Sequence, residues 1–196
     1  MRRLRFLALG LIAGGVFIYG CQSTAPRWTE VGGDALTPAQ AAQQERALAA
    51  RNELAQTLMG HLQEALQTGD AASAIRVCKE IAPALATEIG AKHHVTIGRT
   101  SFRLRNAENA PPAWAAPYVE NRVDSPLFLA NWEDGSLAAL LPIHLSSQCL
   151  QCHGPRDAIA PEVQAALADA YPNDAAVGFA DGDLRGWFHV EVPPLP

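Results

Sequence analysis

The chain has 196 residues, 48% of them hydrophobic and 18% charged, with a formal net charge of −5. That composition is globular rather than disordered and suffices for one packed domain plus a terminal extension. The acidic balance excludes nucleic-acid binding, which needs a basic face; no phosphate-cradling glycine loop, H-E-x-x-H pair or nucleophile elbow occurs either.

The N-terminus, MRRLRFLALGLIAGGVFIYGC, places Arg2, Arg3 and Arg5 before an apolar run from Phe6 to Tyr19. A run of about 14 residues has the length of a signal peptide and is short of the ~20 that a bilayer span needs. Residues 1–20 therefore read as a lipoprotein signal peptide. Ile18-Tyr19-Gly20-Cys21 resembles a bacterial lipobox with Cys21 as the residue to be lipidated, although Tyr19 stands where a small residue is usual. The expected location is the periplasmic side of the bacterial envelope, on a lipid anchor. Gln22 after the cysteine favours the outer membrane. Residues 21–36, with Pro26, Gly32 and Gly33, read as a flexible tether, and residues 37–196 as a single domain.

Thr37-Pro38 is a helix start, and the helix should reach about Gln67 before Thr68-Gly69-Asp70 stops it. Leu54, Leu58, Leu62 and Leu66 recur every four residues and predict its buried stripe. The Ala- and Gln-rich first half has a thinner apolar face, so it is expected to project from the core. A second helix should follow Asp70 as N-cap, with Ile75, Cys78, Ala82, Leu85 and Ile89 on one face. Pro83 should kink or split it and Gly90 should cap its end.

Beyond Lys92 the pattern changes. His94–Ser101 reads as a strand, RLRNAENAPPAW as a loop, and PYVENRVDSPLFLANWEDG as a short helix and turn. Leu137–His144 and Trp187–Val192 are two further strands. Helices first and strands later predict an α+β fold with an antiparallel sheet.

The strand ending at His144 leads into SSQCLQCHGP. The four cysteines are Cys21, Cys78, Cys149 and Cys152; with Cys21 lipidated, three remain, too few for two disulfides in an oxidising compartment. Cys149-x-x-Cys152-His153 is the attachment pattern of c-type haem. Two thiols about one helical turn apart can reach two vinyl groups of a porphyrin edge, and the adjacent histidine is placed to bind iron. A zinc ribbon would need a second C-x-x-C, which the chain lacks. A redox dithiol would sit after an early strand of a βαβ unit, whereas this motif lies late.

One covalently attached haem c is therefore the expected cofactor. For the sixth iron position the chain offers Met59, His61, His93, His94, His144, His189 and Cys78. Met59 lies beside the leucine stripe, where core packing is the ordinary role. Arg76 and Lys79 flank Cys78 and favour a thiolate, but a free cysteine on an apolar helix face is commonly a small hydrophobe. The choice stays open on chemistry alone.

Three longer segments carry a resemblance: IGRTSFRLRNAENAPPAW, LPIHLSSQCLQCHGP and YPNDAAVGFADGDLRGWFHV. Over roughly residues 40–192 the chain resembles the Tll-like family of single c-type haem domains with a PAS-like fold. The resemblance implies an antiparallel sheet covered by helices, with haem held between sheet and helix. It implies attachment through Cys149 and Cys152, and His153 and Cys78 as iron ligands. A His/thiolate pair favours ferric iron and a low potential. Two filled axial positions suit a one-electron carrier and argue against an enzyme. The alternative is a haem-based redox or gas sensor in which Cys78 ligation changes. The expected partners are redox proteins or a membrane sensor kinase. Arg99 and, less directly, Arg103 are the candidate contacts to the haem carboxylates.

Overall fold

A computed structural model describes residues 28–32, 36–68 and 70–195. The segment read as a signal peptide, Cys21 and most of the expected tether lie outside the described residues.

The first element is strand β1, Trp28–Glu30, followed by helix α1, Pro38–Thr68. The strand lies inside the segment read as tether: Trp28 pairs with Asn131 and Glu30 with Leu129, so the sheet begins before Thr37. Three residues between Pro26 and the Gly32-Gly33 pair are too few to show strand alternation in sequence. Thr37 caps α1 with a reciprocal pair, its Oγ1 accepting from Gln40 N–H and its own N–H donating to Gln40 Oε1.

The first half of α1 does not project. Ala47 and Ala50 are fully buried with Leu54 against the sheet, because small side chains let helix and sheet approach closely. The leucine stripe instead leaves the core at its far end: Leu58 is buried, Leu62 partly so, and Leu66 is exposed.

After the Asp70 cap, which accepts from Ser73 N–H, come α2, Ala71–Arg76, a π-helical segment, Val77–Ile81, and α3, Ala82–His93. Proline 83 supplies the reason for the widened turn. A proline ring clashes with the carbonyl four residues back and offers it no N–H, and the π register ends just before it, with Ala82 N–H reaching Val77 O. Gly90 lies inside α3 rather than capping it. A Cβ there would meet Val95 O at 2.7 Å, and the left-handed cap is His94 at φ 53°. Gly90 is thus fixed by close packing, which periodicity does not report.

Strand β2, Thr96–Thr100, and helix α4, Ala116–Glu120, follow. Next come β3, Leu127–Asn131, and β4, Leu137–His144. The segment before β4, expected as helix and turn only, therefore also supplies a strand; all five residues of β3 are buried, so no polar alternation marks it. Helix α5, Leu150–His153, carries the cysteine motif, α6 spans Pro161–Ala170, and β5, Leu184–Val192, closes the chain.

The sheet is antiparallel throughout, in the order β1-β3-β4-β5-β2. One face packs on α1 and α3 through Ile89, Ile97, Leu137, Val190 and Val192. The other buries Leu129, Leu140 and Trp187 under the connection that contains α4. The α+β class and the helix-covered antiparallel sheet stand as expected. Among the described residues no helix is long and apolar enough to cross a membrane.

Candidate functional site

The site forms where α2, the π segment, α5, α6 and the end of β2 meet. Two adjoining cavities share Cys78, Arg105 and Tyr171. One encloses about 600 Å³ of space open to solvent and is lined by Arg99, Thr100, Arg185 and Gly186. The other is almost wholly apolar, walled by Leu62, Leu66, Ile75 and Leu167, with Cys149 and Cys152 along it. Leu62 and Leu66, the part of the α1 stripe that leaves the core, thus form a wall of the cleft.

Cys78, Cys149 and Cys152 are all free thiols and all partly buried. The Cys152 thiol is pushed up by burial, opposed by the nearby Arg105. Among the described residues no group of three or more His, Cys, Asp or Glu converges to hold a bare metal ion. All three cysteines line the apolar cavity.

His153 is held by the chain that follows α6. Its Nδ1 donates to the Ala176 carbonyl at 2.7 Å, its own carbonyl accepts from Phe179 N–H at 3.0 Å, and Phe179 packs edge-on against its ring. Burial, with Arg105 and Arg185 close by, lowers its pKa to about 3, so the imidazole is neutral at ordinary pH. Arg185 Nε also approaches Nδ1, at 3.3 Å. Because the shorter contact to a carbonyl places the proton on Nδ1, the Arg185 approach is not a hydrogen bond. Nε2 keeps its lone pair, and a neutral histidine tied down through Nδ1 is the ordinary form of a metal ligand.

Arg105 and Asp174 form a second support. The pair is 3.0 Å apart with both side chains only 9% exposed. Arg105 also donates to the carbonyls of Cys152 and Ala176, while Asp174 Oδ1 accepts from Ala176 N–H at 2.8 Å. The sequence offers Arg105 only as a further haem-carboxylate contact within RTSFRLRN, and it does not mark Asp174, Ala176 or Phe179 as site residues. Backbone carbonyls have no signature in sequence, and an Asp in YPNDAAVG reads as a turn former.

Arg99 and Arg103 part company. Arg99 lines both the open cavity and a neighbouring one beside His189. Its guanidinium is desolvated, which lowers its pKa, with Cys78 and Tyr171 acting the other way. Arg103 donates to the Val177 carbonyl and stacks on the Phe179 ring at 4.2 Å, so its guanidinium clamps the 176–179 loop and does not line either cavity of the cleft. No carboxylate pairs with Arg99 or Arg185 among the described residues. Among the other candidate ligands, His144 pairs with Asp124 and His93 with Glu53, while Met59 Sδ accepts from Gln148, a residue of the apolar cavity's lining. His189 lies under Gly98 on the sheet.

The sequence matches the Tll0287-like family over residues 35–193. The chain belongs to the Tll0287-like family. Among solved structures, the crystal structure of the cyanobacterial heme-protein Tll0287 has the same fold, with a TM-score of 0.59 at 20% identity. The match covers 82% of this chain and 98% of that one. No curated protein matches the sequence.

Proposed function

We propose that this chain is a c-type haem protein that exchanges single electrons at low potential on the outer face of a bacterial cytoplasmic membrane or the inner face of an outer membrane, anchored through lipid at Cys21. The observation that carries the reading is the state of His153: neutral and fixed through Nδ1, it directly follows Cys152, which lines a cleft together with Cys78 and Cys149, all three free thiols. The family relative that binds haem supports it.

In this reading the thiols of Cys149 and Cys152 would hold one haem covalently, and His153 Nε2 and the Cys78 sulfur would be the side-chain groups that bind its iron. The bound group supplies reversible one-electron exchange at iron, and an anionic sulfur ligand favours the ferric state. The apolar wall of Leu62, Leu66, Ile75 and Leu167 excludes water from a porphyrin. Arg99 and Arg185 present buried positive charge without a protein carboxylate, which suits the two carboxylates of haem. With His153 and Cys78 both committed to the iron, the group would exchange electrons without binding a substrate there, so we read the chain as a carrier and not an enzyme.

A second reading, a redox or gas sensor acting on a partner such as a membrane kinase, is favoured by one observation. Cys78 sits in the π-helical segment, and such segments often mark functional points in helices. A slip to α register there would move the thiol relative to the cleft.

The test is the intact mass of the full chain made in cells that mature c-type cytochromes, compared with Cys149→Ala/Cys152→Ala. The expected result is one haem that survives denaturation in the parent and none in the variant. A haem-free parent, from cells in which a control cytochrome matures, would contradict the reading.

A further inference from the structure

The end of the sheet farthest from the cysteine cleft carries the two most exposed large apolar side chains among the described residues, Trp132 at 69% and Leu195 at 61%. The segments that carry them are adjacent. Gln43 Nε2 donates to both the Gly135 and the Val192 carbonyls, and a Cβ on Gly135 would lie 4.0 Å from Pro194 Cγ. The β3–β4 turn and the C-terminal tail are therefore side by side. Trp28, where the described chain begins, pairs with Asn131, the neighbour of Trp132.

The length of chain before Trp28 decides what can cover this patch. Six residues lie between Cys21 and Trp28, and the seven steps reach about 25 Å at full extension. A lipid on Cys21 thus tethers this end of the domain, and no other, close to the bilayer. Tryptophan is the residue that prefers the membrane–water interface, where its ring is half apolar and half wet.

We propose that Trp132 and Leu195 rest on the lipid surface, so that the anchored protein stands upright with its cysteine cleft pointing away from the membrane. Helix α1 measures the separation. Thr37 borders the groove beside Trp132 and Leu66 borders the cleft, and 29 residues of helix span about 40 Å. The cleft then faces the aqueous compartment and serves a water-soluble redox partner rather than one buried in the bilayer. Glu133 and Asp134 follow Trp132 in the turn and are exposed, against the cation Arg46, which donates to the Pro193 carbonyl of the tail; the net negative charge favours a zwitterionic phospholipid surface over anionic headgroups. This inference rests on lipid attachment at Cys21, as proposed above.

The test uses the full lipidated chain in vesicles of phosphatidylcholine with or without bromine on the acyl chains, which quenches tryptophan at the interface. Trp132 is the one exposed tryptophan, the other three being buried or half-buried. The expected result is quenching by brominated lipid that Trp132→Phe largely loses, and that weakens when phosphatidylglycerol is added. Protein that floats with the vesicles but shows equal quenching in parent and variant overturns the docking and leaves the anchor standing. Protein that does not float overturns both. Emission from Trp132 that shifts with protein concentration and ignores bromine would put a second copy on the patch and overturn the proposal.

Discussion

Nδ1 of His153 lies 2.7 Å from the carbonyl oxygen of Ala176, and that hydrogen bond decides which nitrogen of the ring stays free. Ala176 is itself fixed from two sides, by Asp174 through its N–H and by Arg105 through its carbonyl. The geometry of the candidate ligand is thus set by an ion pair two residues away from its hydrogen-bond acceptor.

Breaking that ion pair should be costly. Asp174 and Arg105 are each 9% exposed, and removing one partner leaves a buried charge uncompensated, a loss of about 3–5 kcal/mol. Urea unfolding should show that loss for Asp174→Ala and for Arg105→Leu, with the double variant well short of the sum. Strictly additive losses, or singles below about 1 kcal/mol, would show that the pair does not hold the loop.

The sequence makes some of this visible and hides the rest for definable reasons. The cysteine motif, the cap at Thr37, the break at Pro83 and strand β4 rest on local rules, and the structure has them where those rules put them. Strand β3 is buried on both faces, so it lacks the alternation that would separate it from a turn. The first half of α1 packs through alanines, whose value lies in what they allow a sheet to approach. Cys78 is visible as a thiol on an apolar face, while its place between two cavities depends on a π register that only Pro83 hints at. The support of His153 by Ala176 is a backbone contact across 23 residues, beyond any spacing rule.

Gly186 should tolerate no side chain. It lines the cleft on β5, and a Cβ there would lie 2.2 Å from the Thr100 carbonyl oxygen, a backbone atom of the neighbouring strand that cannot swing aside. Gly186→Ala must push β2 and β5 apart, at a cost of about 2–3 kcal/mol. Thermal unfolding should register a drop of several degrees; an unchanged midpoint would mean the strands separate freely.

Acid should weaken the fold through His189. Its pKa is lowered to about 4 by burial, and its Nδ1 has no partner. The unfolded chain takes up the proton near pH 6.5 while the folded chain resists it until about 4, so stability falls as pH drops through that window and levels off below it. The full loss is about 3 kcal/mol. His189→Gln should flatten this part of the pH profile of urea midpoints. Parallel profiles for parent and variant would place the acid sensitivity elsewhere.

The central claim is that His153 and Cys78 bind one iron from a cleft built for haem. Low-temperature EPR of the ferric full chain, beside Cys78→Ser, tests it most directly. The account predicts a low-spin signal of His/thiolate type in the parent that disappears in the variant. A parent signal of His/His or His/Met type, unchanged by the substitution, would return Cys78 to simple packing and remove the basis for a low potential.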